Sequence, residues 1–304
     1  MRSLHRLRRR ILPALTVAVA LLAADRDPAS AQRETREGTL FVSAVDQKGE
    51  PVEGLGPDAF IVREDGARRE VLRVSRATEP IDIALLVDNS AAANDEITFF
   101  REALSAFAAK MAPGNQVALI TLADRPTIAV DYTSDPARLT TAIGRLFSMT
   151  QSGMTLLDAL GETARGLQRR ETPRAVIVAV FTDGVEFTNR YSRDVVASLR
   201  SAQTALHLVT IGTFAHSEEH GVRERSFLLS DGPQQTGGQQ ITMLSPNGLD
   251  QAMQRLAREL SSQYKVVYGQ PQSLIAPEKI EVVSAQPTVT MRGAPARGET
   301  GASR

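Results

Sequence analysis

Four apolar runs constrain this chain more than any other feature of its sequence. They are Ile83–Val87, Val117–Leu122, Ala175–Phe181 and Leu206–Ile211, with a few threonines and alanines admitted. A strand with one wet face alternates apolar and polar residues, whereas a continuous short run suits a strand buried on both faces, as in a parallel sheet. Helical spacing lies between the runs. Ile97, Phe100, Leu104, Phe107 and Met111 form one apolar stripe, as do Leu157, Leu160, Ala164 and Leu167, and later Leu249, Met253, Leu256 and Leu260. Pro113-Gly114-Asn115 ends the first helix and turns the chain into the next strand. Buried strands alternating with amphipathic helices predict a doubly wound, mostly parallel α/β sheet, with ligands beyond the carboxyl ends of its strands near a topological switch point.

The flanks read differently. Thr39–Val45, Phe60–Arg63 and Glu70–Val74 are predicted strands, separated by the turn clusters 46–51 and Glu64-Asp65-Gly66. Gln263–Gly269, Lys279–Ser284 and Thr288–Arg292 repeat this at the other end. Neither piece has enough residues for a core of its own. Together they are expected to form a small accessory β-sandwich. The organisation that follows is a leader over 1–31, an N-terminal β segment over 38–78, the α/β domain over 80–262, a C-terminal β segment over 263–292 and a flexible tail over 293–304.

The leader rests on Arg2, Arg6, Arg8, Arg9 and Arg10, the 14-residue apolar run Ile11–Ala24, and Ala29-Ser30-Ala31 ahead of a cut. That run is short for a membrane span, so the expectation is an exported, periplasmic or secreted protein with no span after cleavage; an uncleaved anchor is the alternative. Lys plus Arg and Asp plus Glu both number 35, and removal of 1–31 leaves 29 basic and 33 acidic groups, a balance that does not suit nucleic acid. Cysteine is absent, which excludes thiol catalysis and cysteine-held zinc.

The first buried run ends Val87-Asp88-Asn89-Ser90-Ala91-Ala92. Asp88-x-Ser90 after such a strand resembles the metal-ion-dependent adhesion site of von Willebrand factor A (VWA) domains, whose pattern is Asp-x-Ser-x-Ser. Gly153-Met154-Thr155 resembles that family's threonine loop, Phe181-Thr182-Asp183-Gly184 its second aspartate loop, and Thr236-Gly237-Gly238 a late turn. The likeness spans about 80–262, and the flanking segments, with Val45–Val52, Asp58-Ala59-Phe60 and Glu64-Asp65-Gly66, resemble an acidobacterial-type group of exported VWA proteins. The resemblance implies a Rossmann-like VWA fold. It also implies a Mg²⁺ or Mn²⁺ site formed by Asp88, Ser90, Thr155 and Asp183, open to an acidic side chain of a protein partner. Ala92 stands where the second serine belongs, so one hydroxyl ligand is missing. The expectation is therefore a non-enzymatic adhesion or interaction module with a degenerate metal site. The alternative is a metal-independent scaffold in which backbone N–H groups and hydroxyls satisfy the aspartates.

Other motifs are weaker. His216-Ser217-Glu218-Glu219-His220 has the spacing of an inverted zinc-peptidase motif, but it lies in a polar stretch without apolar periodicity and reads as a solvated loop. Gly54-Leu55-Gly56-Pro57-Asp58-Ala59 fits a loose dinucleotide pattern but lacks the strand–helix setting. Arg165, Arg169 and Arg170 read as a solvated helix end.

Overall fold

A computed structural model describes residues 36–214, 218–271 and 277–296, all within one compact unit of the chain. The leader, His216 and Ser217, and the tail beyond Ala296 lie outside the described residues. The central sheet is built from β5 (Asp82–Val87), β6 (Gln116–Thr121), β7 (Thr127–Thr133), β8 (Ala175–Thr182), β9 (Thr204–Ile211) and β10 (Gln240–Met243). Their order is β10-β9-β8-β5-β6-β7, parallel throughout except that β7 runs antiparallel to β6.

Every residue of β5, β8 and β9 is buried, because both faces of the sheet are covered. The period of two sorts the side chains into two cores. Ile83, Leu85 and Val87 pack with α1 (Ile97–Met111), α2 (Pro136–Gly144) and α6 (Leu249–Ser261). Ala84 and Leu86 pack with α3 (Leu156–Arg170), α4 (Ser192–Ser201) and α5 (His220–Thr236). The predicted stop of α1 takes a definite form. Gly114 turns at φ +83°. Asn115 then donates to the Met111 carbonyl and accepts from the Ile81 N–H, tying the helix end to the start of β5.

The terminal segments do join. β1 (Arg36–Val45) pairs with β11 (Tyr264–Gln270) and β13 (Thr290–Pro295), and β11 pairs with β4 (Val71–Arg76). A second sheet holds β12 (Ile280–Ser284), β2 (Phe60–Glu64) and β3 (Ala67–Arg69). Leu40, Val42, Phe60, Val62, Val266 and Tyr268 share one core between these two sheets. β13 continues through Gly293 to Pro295, because 293–295 pair with β1, so the sheet extends past the expected start of the tail.

The buried guanidinium of Arg174 links this sandwich to the α/β layer. It donates to the carbonyls of Glu79 (2.6 Å) and Leu260 (3.0 Å) and to Gln263 Oε1 (2.8 Å), and it lies over the Phe41 ring. Gln263 in turn donates to Ser43 of β1.

The sequence reading singles out neither the helices α2, α4 and α5 nor the strands β3, β7 and β10. The edge strand β7 buries only Val130, so no apolar period marks it. On α5 the buried face carries Gly221, Glu224 and Arg225 beside Leu228 and Leu229, which erases the helical stripe. The expected solvated loop at 216–220 is thereby corrected at its end: His220 opens α5, and its Nε2 sits 3.2 Å from the Arg190 carbonyl oxygen.

Removing the Arg174 side chain strands two buried acceptors, Leu260 O and Gln263 Oε1, and the half-buried Glu79 O. Arg174→Ala is expected to cost about 3 kcal/mol or more in a denaturant titration, and Arg174→Lys to recover only part of it.

Candidate metal-ion site

The carboxyl ends of β5, β6 and β8 meet where the chain reverses its direction of travel across the sheet. β5 is laid down first, β6 follows on one side and β8 on the other. Asp88 follows β5 directly and is fully buried. Its Oδ1 accepts the N–H of Ser90 at 2.8 Å, and its Oδ2 accepts the N–H and hydroxyl of Thr182 at 3.1 and 2.6 Å. One carboxylate therefore folds its own loop and clamps it to the end of β8.

Ser90 is buried at 1 % exposure. It heads the 3₁₀ turn Ala91–Ala93 but makes no side-chain cap, and its Oγ has no hydrogen-bond partner among the described residues. Thr155 occupies the N-cap position of α3, again without a side-chain cap bond. Its hydroxyl donates to the Leu122 carbonyl at 2.8 Å, which leaves the oxygen lone pairs available. Glu186 does the capping instead, accepting from the N–H groups of Leu156 and Leu157 at 3.1 and 3.0 Å. The threonine loop and the aspartate loop are also stitched through backbone, by Met154 N–H to Val185 O and Phe187 N–H to Met154 O.

Asp183 is exposed, and one of its carboxylate oxygens accepts from Thr213 N–H at 3.1 Å. Gly212 makes this approach possible. It sits at φ +110°, and a Cβ there would come within 2.7 Å of the Asp183 carboxyl. The backbone of the aspartate loop is held from behind by the buried Arg225 of α5, which donates to the carbonyls of Gly184 and Asp183. Ala92 lies against Gly184, where an added Cβ would meet the alanine methyl at 2.6 Å.

The structure thus brings Asp88, Ser90, Thr155 and Asp183 to one sheet edge. It adds Thr182, Glu186 and Arg225, which the sequence reading did not single out. Thr182 stands inside the quoted loop and could have been noticed there, whereas Glu186 and Arg225 belong to no motif and become visible only by burial. Among the described residues no set of three or more His, Cys, Asp or Glu is placed to share an ion. An ion here would rest on two carboxylates, two hydroxyls and water, a hard-oxygen set that suits a divalent cation retaining part of its hydration. The orphaned Ser90 hydroxyl fits that donor set, and the alanine at 92 leaves it one oxygen short.

Burial pushes the Glu186 carboxyl up to about 8, against the pull of the two N–H donors and of Arg225. Between its ordinary value of 4.5 and about 8 the folded chain keeps a proton that the unfolded chain releases. The stability this contributes is complete below that window and is lost as pH rises through it, by up to about 1.4 kcal/mol per pH unit. The melting temperature is expected to fall as pH rises across this window, and Glu186→Gln, uncharged at every pH, should flatten the decline.

Comparison with known proteins bears on these loops. No curated protein matches the chain. Similar solved structures include a von Willebrand factor type A protein from Catenulispora acidiphila, at 11 % identity and TM-score 0.48, covering 88 % of this chain and 73 % of that one. They also include the vWF domain of the type V pilus tip protein Mfa5 of Porphyromonas gingivalis, at 13 % identity and TM-score 0.45, covering 60 % and 95 %. A third is proximal thread matrix protein 1 of the mussel byssus, at 17 % identity and TM-score 0.49; 68 % of this chain is covered, but only half of that one. The model of the von Willebrand factor type A domain matches residues 83–186, the stretch from β5 to Glu186 that holds all four candidate ligands.

Proposed function

We propose that the chain is an exported interaction module whose VWA domain captures a protein partner through a divalent cation, Mg²⁺ or Mn²⁺, held by Asp88, Ser90, Thr155 and Asp183. The observation that carries this reading is the Ser90 hydroxyl, 1 % exposed and without a partner among the described residues, beside an Asp88 carboxylate whose two oxygens both accept hydrogen bonds. A buried hydroxyl without a partner is costly, and an ion would satisfy it. Bound there, the cation would supply a positive charge for an acidic group of the partner. The role of the protein is to hold the oxygens in place: Asp88 and Thr182 fix the serine loop, Glu186 relieves Thr155 of capping duty, and Arg225 fixes the aspartate loop.

The surroundings suit a protein partner. Phe147, Met149, Val185 and Phe187 are exposed on the loops next to the site, Phe147 at 65 %. Apolar side chains gathered beside a polar centre mark contact surfaces. Among the described residues no helix is long and apolar enough to cross a membrane. We place the mature start after Ala31 and the VWA domain at 80–262, with the β-sandwich as its brace. A metal-independent scaffold is the second reading, supported by Ala92 and by the three donors that already satisfy Asp88.

Calorimetric titration of Mg²⁺ and Mn²⁺ into the full chain tests the first reading against the second. One saturable site is expected, lost in Asp183→Ala without a change in melting temperature. Ala92→Ser should tighten binding about fivefold, the worth of one added neutral oxygen of about 1 kcal/mol. Absence of binding in both the parent chain and Ala92→Ser would reject the metal site. Mass spectrometry of exported protein should find Gln32 as its first residue.

A further inference from the structure

Among the described residues, buried side-chain polar atoms without a partner gather in two places. Ser90 Oγ, Glu96 Oε2 and Arg225 Nε surround the carboxylate loops, and Glu96 and Arg225 both lie within the electrostatic reach of Asp88 and Asp183. Both ring nitrogens of His207, Glu259 Oε1 and Arg292 Nε form the other group, and no motif in the sequence points to them. Native interiors leave few such atoms, and a cluster of them calls for a reason.

These three residues come from three elements. His207 lies on β9 and shares the strand face of Ala205 and Val209, which turns toward α6. Glu259 stands in the last turn of α6, 4 % exposed, and Arg292 lies on β13. Glu259 Oε2 is occupied by Arg292 Nη2 and by Gln239 Nε2, both at 2.8 Å. Its Oε1 is not occupied. Burial drives His207 down to about 4, so its ring is neutral at ordinary pH, with one donor and one acceptor nitrogen to satisfy.

A cavity of about 310 Å³ lies beside Glu259 and Arg292 but is not lined by His207; it sits between β10, α6, β13 and the turn after β1. Glu259 and Arg292 line it, as do Asp46 and Arg255. Arg255 is half-buried and has no hydrogen bond or ion pair among the described residues; it feels the charge of Glu50, which Arg258 already holds with two bonds. Arg255 and Glu259 are one turn apart on α6 and so face the cavity side by side, yet they do not pair. The four charges at the cavity wall cancel, and Leu256, Ile241 and Val45 supply an apolar side.

A ligand that completes this wall is neutral overall, carries a negative and a positive group a few ångströms apart, and is small, since the volume is at the lower end of small-molecule pockets. We propose that the cavity binds a free α-amino acid, with its carboxylate on Arg255 and its ammonium on Glu259. The site lies at the joint of β-sandwich and α/β layer and is independent of the metal reading.

Calorimetry on the full chain tests this with three probes: L-alanine, propionate and ethylamine. L-alanine is expected to bind at one per chain, and propionate and ethylamine, each with half of the zwitterion, about tenfold or more weaker. Arg255→Gln should weaken L-alanine about tenfold. Its melting temperature and Mg²⁺ titration should match those of the parent, since Arg255 makes no hydrogen bond or ion pair among the described residues. Absence of L-alanine binding at millimolar concentration would overturn the proposal and leave the cavity to water. So would equal affinity for propionate, which would mark a plain anion site, or unchanged L-alanine binding in Arg255→Gln.

Discussion

The arrangement at the top of the sheet depends on the Asp88 carboxylate. It is wholly buried, and a buried charge is tolerated only where donors surround it. Three donors do so, one from its own loop and two from Thr182 on the neighbouring strand. This clamp sets where Ser90 points and how far the two loops stand apart. Nearby, other residues share the structural work, and among the described residues the Ser90 hydroxyl is the one candidate side chain without a hydrogen bond. Glu186 caps α3, so Thr155 does not have to. Arg225 holds carbonyls of the aspartate loop, so the Asp183 side chain can stay exposed.

A second constraint acts at the opposite end of the sheet. The two terminal β segments cannot bury a core separately, and they are brought together only because α6 returns the chain to β1 through β11. Arg174 makes that meeting specific by bonding Glu79, Leu260 and Gln263 at once. The two terminal nitrogens of one guanidinium serve these three acceptors together. The sandwich and the α/β layer therefore share a buried polar contact as well as an apolar one.

The central strands were legible because burial on both faces leaves an unbroken apolar run, and the helices α1, α3 and α6 because each buries one stripe. Helix α5 was not, since Gly221, Glu224 and Arg225 occupy its inner face for reasons of close approach and charge. Its first residue, His220, fell in a segment read as a loop. The four candidate ligands were legible because they stand in short motifs beside buried strands. Their supports were not: Glu186 and Arg225 act across the fold, and no local spacing records a partner that is distant in sequence. The cluster of His207, Glu259 and Arg292 is hidden in the same way, since β9, α6 and β13 meet only in three dimensions.

The central claim is that the unpartnered Ser90 hydroxyl and the lone pairs of the Thr155 hydroxyl face a cation. Crystals grown with Mn²⁺, and measured at a wavelength where manganese scatters anomalously, test it most directly. The account predicts one anomalous peak bounded by Ser90, Thr155 and Asp183, with the Asp88–Thr182 clamp unchanged. A well-ordered site without a peak, in which the Ser90 hydroxyl instead bonds to protein, would contradict it.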